Sequence, residues 1–447
     1  GCSLSKNVNT PPVAVELQEF GQKRLAIDRN MRIPIICGNV ERWRTHAKLA
    51  VRLSSTSSGR NLEIGLFEEK SHKVVPIPNC KVHHPAINTV IDILKEEALS
   101  WNIVAYDERT LSGMLRYVQV SVERSSGRVI LALVWNAEQF KYTAPDAPRL
   151  IKALWSRRDE MSLAAIWLTL NHSVGNTVLS LDKAKWKLAR ADQDRQSGHC
   201  MESVLGLQVS FAPYAFRQAN LDAFETLLRR VANMVPKGSD VVELFAGVGV
   251  IGLALLRERV LNSVTCTELN RLAEDGFQAT KNKLPIELQS RARFLAASSS
   301  TCLNLLGSCD VIVVDPPRAG LEESVLNYLT DEGFKHRLSR QKVRLIYISC
   351  GFSAFQRDSQ KLVSAGWVVK LLEGHVFFPG SNHIETLGVF DLEKTTDPVD
   401  VFLQQKKNHA PLSGSSVHVP RTQTHSKKAR TRKSKSDSRG KRKVSAH

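Results

Sequence analysis

The sequence of 447 residues contains no run of about 18 apolar residues, so no segment of it is predicted to cross a membrane as a helix. Its eight cysteines are scattered and include no C-x-x-C pair. This spacing argues against a disulfide framework and favours a reducing compartment, where cysteines serve as core residues, ligands or nucleophiles. The chain begins at Gly1 rather than Met, so we expect any targeting segment to lie upstream.

Acidic residues are almost absent from the end of the chain. Residues 401–447 hold thirteen Lys or Arg against one acid, Asp437, which gives this tail +12 of the total formal charge of +18. The tail is rich in Ser and Thr and poor in apolar residues, so we expect it to be disordered. Its charge favours a phosphate-binding arm or a nuclear-import signal over a tail that only aids solubility.

The rest of the chain changes character near residue 205. Residues 1–205 carry short alternating apolar segments, which predict a β-rich α+β domain with a few helices. Residues 206–395 alternate apolar strands with helices, which is typical of a doubly wound parallel sheet of the α/β class. We therefore predict two folded domains, 1–205 and 206–395, followed by a basic tail at 396–447.

Individual elements can be placed within both domains. In the first, a helix is expected to begin near Val13, and strands are predicted at 47–53, 62–67, 117–122 and 128–134. In the second, Asn220 is expected to cap a helix. The strands predicted there are 241–245, 264–267, 293–296, 311–314 and 343–348, closed by a pair at 367–372 and 384–392.

A glycine turn follows the first strand of the second domain. Gly247, Gly249 and Gly252 have the spacing G-x-G-x-x-G, which lets the backbone approach a nucleotide at the head of a helix. The alternative is a tight turn that binds no ligand. Glu268 ends the next predicted strand, 21 residues beyond Gly247, where an acid can accept hydrogen bonds from ribose hydroxyls.

Further reactive side chains follow the later strands. Asp315 and Cys350 end the fourth and fifth strands, and Glu385 opens the last one. Ligands of doubly wound sheets bind at the carboxyl ends of the strands, so we expect these residues near the glycine turn. In the first domain, a group of basic and aromatic residues suggests either a nucleic-acid-binding surface or a solvated strand face. This group comprises Trp43, Arg44, His46, Lys48 and Arg52.

Five motifs, taken in order, resemble those of the S-adenosylmethionine-dependent RNA 5-methyluridine methyltransferase family. They are Phe216-Arg-Gln-Ala-Asn220, Glu243-Leu-Phe-Ala-Gly-Val-Gly249, Asp315-Pro-Pro-Arg-Ala-Gly-Leu321, Ser349-Cys350 with Arg357-Asp358, and Phe378-Pro379 with His383-Ile-Glu385. The resemblance spans most of residues 1–395 and implies that the second domain is a Rossmann-like methyltransferase domain.

The resemblance also implies roles for single residues. Cys350 would attack carbon 6 of a uracil, and Glu385 would later remove the proton from carbon 5. S-adenosylmethionine would be bound by Gln218, Phe245, Gly247, Gly249, Glu268 and Asp315. The substrate would be a flipped or looped uridine in structured RNA, ribosomal or transfer RNA. The alternatives are a methyltransferase that acts on another atom or substrate, and a catalytically decayed RNA-binding protein.

The sequence departs from the family pattern at several positions. Glu243 stands in place of Asp and Ala246 in place of Cys, and Val376 replaces an Asp. Two dipeptides also differ: Ala297-Ser298 replace Gly-Asp beside the expected adenine site, and Gly351-Phe352 replace Asn-Pro after the nucleophile. These changes are expected to alter the local shape of the site.

Two cysteines bear on a possible metal centre. On the residues alone, Cys2 and Cys80 are ordinary free cysteines, because an iron–sulfur cluster needs four ligands. The resemblance implies that they could be two ligands of a [4Fe-4S] cluster, completed by cysteines upstream of Gly1. We further expect a monomer that does not associate with membranes and is located inside the cell, in the nucleus, the nucleolus or an organelle.

Overall fold

The computed structural model describes residues 8–392 apart from 26, 29, 57–58, 70, 175–177, 181 and 338–341. The predicted basic tail and Cys2 therefore lie outside the described residues. None of the helices in the described part of the chain is both long enough and apolar enough to cross a membrane.

Strands and helices in the described ranges are numbered along the chain. The strands are β1 Ile35–Cys37, β2 His46–Thr56, β3 Gly59–Phe67, β4 Val74–Pro76, β5 Leu115–Val122, β6 Val129–Trp135, β7 Leu163–Leu170, β8 Trp186–Ala191, β9 Cys200–Val204, β10 Leu207–Phe211, β11 Asp240–Leu244, β12 Ser263–Glu268, β13 Ala292–Ala296, β14 Val311–Val314, β15 Val343–Ser349, β16 Val368–Val376 and β17 Glu385–Leu392. The α-helices are α1 Pro12–Arg24, α2 Pro85–Ser100, α3 Asp146–Ser156, α4 Leu221–Met234, α5 Val250–Arg259, α6 Ala273–Lys281, α7 Ile286–Gln289, α8 Glu323–Thr330, α9 Glu332–Arg337 and α10 Phe352–Ser364.

An eight-stranded sheet with helices on both faces forms the second half of the chain. Its strand order is β1-β16-β17-β15-β14-β11-β12-β13, and β17 runs antiparallel to its two neighbours while the other pairs are parallel. Successive residues of β14 point to opposite faces, so Val311 and Val313 enter one core and Ile312 and Val314 the other. The predicted α/β class and its doubly wound architecture are confirmed.

Each strand predicted in this half is present, with ends that differ by a few residues at most. The predicted helix cap is also present, because the side-chain oxygen of Asn220 accepts a hydrogen bond from the N–H of Ala223 at 3.1 Å. The amide nitrogen of Asn220 donates to the carbonyl of Phe377 at 2.8 Å. One residue therefore begins α4 and fixes the loop that precedes β17.

A seven-stranded sheet with the order β4-β3-β2-β5-β6-β7-β8 forms most of the first half. The predicted hairpin is present as the antiparallel pair β5–β6. Helices α2 and α3 share a core with one face of this sheet. The other face of β6 and β7 joins the core that holds β9, β10 and α4, so these two strands are buried along their whole length.

The start of the chain belongs to the eight-stranded sheet. Strand β1 pairs in parallel with β16, and the N–H of Gly374 donates to the carbonyl of Pro34 at 2.9 Å. Helix α1 packs in the same core as α8 and α10. Sequence patterns did not predict the pairing of β1 with β16. The domain boundary proposed between residues 205 and 206 remains a prediction.

Candidate active site

The glycine turn connects β11 to α5 in a left-handed conformation. Phe245, Gly247 and Gly249 have φ angles of 59°, 54° and 73°. A Cβ atom on Gly247 would meet no atom within 4 Å, whereas one on Gly249 would lie 2.5 Å from the ring of Phe277. Gly247 therefore leaves the backbone open to a ligand, and Gly249 is required for packing.

The third glycine explains how Glu243 is accommodated in place of Asp. The Oε2 atom of Glu243 accepts hydrogen bonds from the N–H of Gly252 at 2.8 Å and from the thiol of Cys266 at 3.2 Å. A Cβ atom on Gly252 would lie 2.6 Å from that same oxygen. Glu243 thus holds the first turn of α5, and its burial raises its pKa to about 8.

Glu268 at the end of β12 connects the two loops that follow β11 and β12. Its carboxylate accepts the N–H of Gly247 at 2.9 Å and the N–H of Asn270 at 2.8 Å. A carboxylate offers about four acceptor positions, so Glu268 retains capacity for two hydroxyl groups of a ligand.

The register of β15 and β17 brings Cys350 and Glu385 to the same edge of the sheet. Ser349 lies opposite Thr386 in this antiparallel pair, so the residue after Ser349 and the residue before Thr386 are neighbours. Cys350 and Glu385 both line a cavity of about 660 Å³. Because β17 is antiparallel, its first residue meets the carboxyl ends of the parallel strands.

Burial and neighbouring charges shift the pKa values of the titratable groups in this cavity. Burial is the main reason why the pKa of Cys350 rises to about 11, and Glu385 and Asp315 raise it further. Burial also raises the pKa of Glu385 to about 8 and that of Asp315 to about 7. The guanidinium of Arg318 opposes the rise at Cys350 and at Glu385. These carboxyl groups can therefore gain or lose a proton near neutral pH.

Helix α10 holds the loop that carries Asp315 and Arg318. The Oδ2 atom of Asp358 accepts hydrogen bonds from the N–H of Leu321 at 2.9 Å and from the hydroxyl of Tyr347 at 2.8 Å. The guanidinium of Arg357 donates to the carbonyl of Ala319 at 2.9 Å. The Arg-Asp pair of the fourth motif therefore positions the loop of the third.

Most of the predicted catalytic and donor-binding residues line the cavity. Its wall includes Gln218, Phe245, Gly247, Glu268, Asp315, Cys350 and Glu385. Gly249 lies in the turn behind this wall, and the functions of all these residues remain predictions. His383 of the fifth motif is exposed and also lines the cavity.

Sequence reasoning missed two hydroxyl groups on the cavity wall. Thr267 and Ser299 are both buried, and their hydroxyl oxygens have no hydrogen-bond partner among the described residues. Ser299 follows Ala297-Ser298, the dipeptide that replaces Gly-Asp. Buried hydroxyls are normally paired, so these two indicate a ligand that supplies the missing partners.

Carboxyl groups outnumber cationic groups around the cavity. Five acids and one arginine line it, namely Glu243, Glu268, Asp315, Glu322, Glu385 and Arg318. Burial keeps Glu243 and Glu385 mostly protonated at pH 7, and a ligand with a positive charge would favour their ionised forms.

The described residues give no support for the iron–sulfur cluster. Within them there is no group of three or more His, Cys, Asp or Glu side chains that could hold a metal ion. Cys80 is a half-buried free cysteine, and Cys2 lies outside the described ranges. The described residues therefore do not supply the four ligands that such a cluster requires.

Comparison with known proteins identifies the family. No family model matches the chain. A protein of Protochlamydia amoebophila named as an uncharacterized RNA methyltransferase is 36% identical over 395 residues, which cover 88% of this chain and 95% of that protein. A protein of Geobacter sulfurreducens with the same description is 25% identical, covering 78% of this chain and 65% of its own length.

A solved structure shares the fold. The tRNA (uracil-54, C5)-methyltransferase of Pyrococcus abyssi, in complex with S-adenosyl-L-homocysteine, superposes with a TM-score of 0.63. It is 20% identical in sequence, and the match covers 87% of this chain and 86% of that one. The identity to the Protochlamydia protein over nearly the whole of both chains shows that this chain belongs to the RNA methyltransferase family.

Proposed function

We propose that the protein transfers a methyl group from S-adenosylmethionine to carbon 5 of a uridine in structured RNA, through a covalent bond between Cys350 and carbon 6. The observation that carries the proposal is the β15–β17 register, which makes Cys350 and Glu385 neighbours on the wall of one cavity. The glycine turn opens onto the same cavity, so a nucleotide-like donor and a base can meet there.

Several features of the cavity fit S-adenosylmethionine as the methyl donor. Gly247 presents open backbone, and Glu268 has free acceptor positions for ribose hydroxyls. The unpaired hydroxyl of Ser299 directly follows Ala297-Ser298, where the sequence lacks the acid expected beside an adenine, and the unpaired hydroxyl of Thr267 lines the same cavity. The donor supplies a methyl group on a positively charged sulfonium, which suits the acidic wall.

The reaction begins at Cys350. Carbon 5 of uracil is a poor nucleophile until the thiolate adds to carbon 6, which moves the π electrons onto carbon 5 and the carbonyl oxygen at carbon 4. Because burial raises the pKa of the Cys350 thiol to about 11, the proton must leave when the substrate is bound. Arg318 favours the thiolate electrostatically, and the carboxylate of Asp315 is suited to accept the proton, which leaves Glu385 ionised for the later step.

Glu385 completes the reaction. Once carbon 5 has taken the methyl group, it carries both this methyl and its original proton. The carboxylate of Glu385 removes that proton, the double bond between carbons 5 and 6 re-forms, and the Cys350 thiolate leaves. A pKa of about 8 lets Glu385 hold the proton and release it to water after each turnover.

The substrate is a uridine that has left its base stack, because both ring carbons must enter the cavity. Loops of ribosomal or transfer RNA satisfy this requirement. The Pyrococcus abyssi protein is named for a uridine of tRNA, which supports tRNA as the first class to test.

A trapping experiment tests the proposal. RNA that contains 5-fluorouridine is incubated with the protein and S-adenosylmethionine, and a denaturation-resistant adduct is sought. Fluorine cannot leave carbon 5 as a proton does, so the methylated adduct should persist and map to Cys350 by mass spectrometry. Cys350→Ala should abolish the adduct, while Glu385→Gln should accumulate one even with ordinary uridine.

Other outcomes would contradict the proposal. Methyl transfer that survives in Cys350→Ala would indicate a methyltransferase acting on another atom or substrate. RNA binding without any binding of the donor would indicate a decayed enzyme that retains only the RNA-binding function.

A further inference from the structure

A cluster of three side chains borders the cavity through one of its members, Phe378. The guanidinium of Arg44 lies 4.9 Å from the ring centroid of Trp43 and 5.7 Å from that of Phe378. The two rings meet edge to face at 5.6 Å. Phe378 lines the cavity, so this mouth cluster of Trp43, Arg44 and Phe378 is continuous with the candidate active site.

The backbone fixes Arg44 in this position. Its N–H donates to the carbonyl of Val82 and its own carbonyl accepts the N–H of His84, both at 2.8 Å. The next residue, Thr45, donates to Ala219 at 3.1 Å, which is the neighbour of Gln218. The mouth cluster is therefore connected to both the first domain and the segment expected to bind the donor.

Arg44 has no carboxylate partner among the described residues, whereas Arg124, Arg217 and Arg230 each pair with one. Its guanidinium packs on two aromatic rings instead. Burial lowers the pKa of Arg44, and the nearby Cys80 side chain opposes this shift.

Two exposed cationic side chains lie on the two chain segments that meet at Arg44. Arg42 and Lys81 are exposed, and the N–H of Arg42 donates to the carbonyl of Lys81 at 2.8 Å. Lys81 approaches Glu41 only at 4.0 Å, which is the limit for an ion pair. An anion that reaches Arg44 therefore meets a basic surface.

We propose that the mouth cluster binds a backbone phosphate of the RNA strand next to the uridine that enters the cavity, with Arg44 as the positioning residue. This inference rests on the proposed function, since it assumes that RNA enters this cavity. Aromatic rings orient the plane of the guanidinium, so that the N–H groups along its edge can donate hydrogen bonds to two phosphate oxygens. A phosphate fixed there would set the depth to which the base enters.

The test compares Arg44→Gln and Arg44→Lys with a matched control, Arg158→Gln. Arg158 also lies over a tryptophan of the first domain, 5.7 Å from the centroid of Trp155, but this residue does not line the cavity. Binding of a labelled oligouridine is measured against salt concentration. Steady-state methylation of unmodified tRNA and rRNA transcripts gives kcat and KM separately.

For Arg44→Gln, we expect the slope of log affinity against log salt to fall by about one, with RNA KM rising about tenfold and kcat changing less than about twofold. Arg44→Lys should keep the wild-type slope, because the charge remains, and raise KM by a smaller factor since the planar fork is lost. Affinity for S-adenosylmethionine should not change in either variant.

The inference is overturned if Arg44→Gln has the same salt slope and KM as Arg158→Gln. It is also overturned if Arg44→Gln lowers kcat and donor affinity without altering the salt slope, because that result would assign Arg44 a purely structural role. Failure of the wild type to methylate uridine would contradict the proposed function instead, and the oligouridine binding series would still decide the role of Arg44.

Discussion

The backbone of Gly351 lies against that of Arg318, so a Cβ atom on Gly351 would clash with the Arg318 carbonyl oxygen. Gly351 is the residue that departs from the Asn of the family motif. This contact joins the segment after the nucleophile to the loop that carries Asp315. The departure therefore fits the close approach of two catalytic segments in this chain, and the absence of a side chain is what allows it.

Gly351→Ala should lower activity, because the added methyl must push the Arg318 loop away from Cys350. We expect kcat to fall by at least about tenfold, as small displacements of catalytic groups cost this much or more. Gly38→Ala is the control, since a Cβ atom there meets no atom within 4 Å. Equal kcat values for the two variants would contradict the importance of this contact.

The pH dependence of Cys350 alkylation should report the charges around it. Because burial and the Glu385 carboxylate raise the pKa of the thiol, Glu385→Gln should shift the alkylation midpoint down from about 11. Arg318→Gln should shift it up, since the guanidinium favours the thiolate. Each shift should be about one pH unit.

Iodoacetamide labelling followed by mass spectrometry of the Cys350 peptide measures these midpoints. Cys37 serves as an internal control in the same digest, because burial alone raises its pKa. Shifts of the same size at both cysteines would show that the variants had altered the fold rather than the local charge.

Removing the unpaired hydroxyl of Ser299 should have opposite effects on stability and on donor binding. Ser299→Ala should stabilise the free protein by about 1 kcal/mol, because a buried hydroxyl without a partner is costly. It should weaken S-adenosylmethionine binding about tenfold, because the bound donor loses a hydrogen bond. Thermal unfolding and calorimetry measure the two quantities.

Ser239→Ala is the matched control for this experiment. The hydroxyl of Ser239 is equally buried but already paired, because it donates to the carbonyl of Pro236 at 2.9 Å. Its removal should therefore destabilise the protein and leave donor affinity unchanged. Identical behaviour of the two variants would argue against a ligand contact at Ser299.

The ion pair of the buried Glu373 with the partly exposed Arg230 should make stability fall in acid. The pKa of Glu373 is lowered to about 2 by His375 and Arg230, which outweigh the opposing effect of burial. The stabilisation is therefore complete above the unfolded pKa of about 4.5 and is lost as the pH falls towards 2. We expect Arg230→Gln to lower the free energy of unfolding by about 2 kcal/mol at pH 7 and by much less at pH 3.

Urea unfolding at the two pH values checks this expectation. Lys23→Gln is the control, because Lys23 forms an exposed pair with Glu19 on α1. A loss in Arg230→Gln that is equal at pH 7 and pH 3 would exclude the charge interaction as its cause.

Deletion of residues after 398 should weaken RNA binding and flatten its salt dependence, because thirteen cationic side chains in this region can release counterions from RNA. The tail lies outside the described residues, so this expectation rests on its composition. A Gly-Ser tail of equal length is the control. An unchanged salt slope would leave import or solubility as its function.

The strands of the eight-stranded sheet were predictable because they are nearly continuous apolar runs that end at polar residues, as at 311–314 before Asp315. Such runs are typical of parallel strands buried on both faces. The order of the motifs also identified Cys350 and Glu385 as the predicted catalytic residues. It did not show that they are neighbours, because their proximity depends on the antiparallel pairing of Ser349 with Thr386.

The first domain was harder to interpret from local patterns. The basic and aromatic residues at 43–52 were compatible with either a nucleic-acid-binding surface or a solvated strand face. In the structure these residues do not share one environment. Arg52 is buried, pairs with Glu108 and donates to the carbonyl of Arg116 at 2.9 Å. His46 is buried, with its Nδ1 atom 2.9 Å from the hydroxyl of Ser121. Trp43 and Arg44 instead pack against Phe378, which lines the cavity. The environment of each of these side chains depends on contacts with residues far away in the sequence, which local patterns do not reveal.

The pairing of β1 with β16 has a practical consequence for anyone who wishes to produce the catalytic half alone. A fragment that starts at residue 206 omits β1 and α1, so the edge of β16 would present unpaired N–H and C=O groups to solvent. Such an edge invites intermolecular strand pairing. An expression design that retains the first 37 residues, joined by a short linker in place of the seven-stranded sheet, would keep that edge covered.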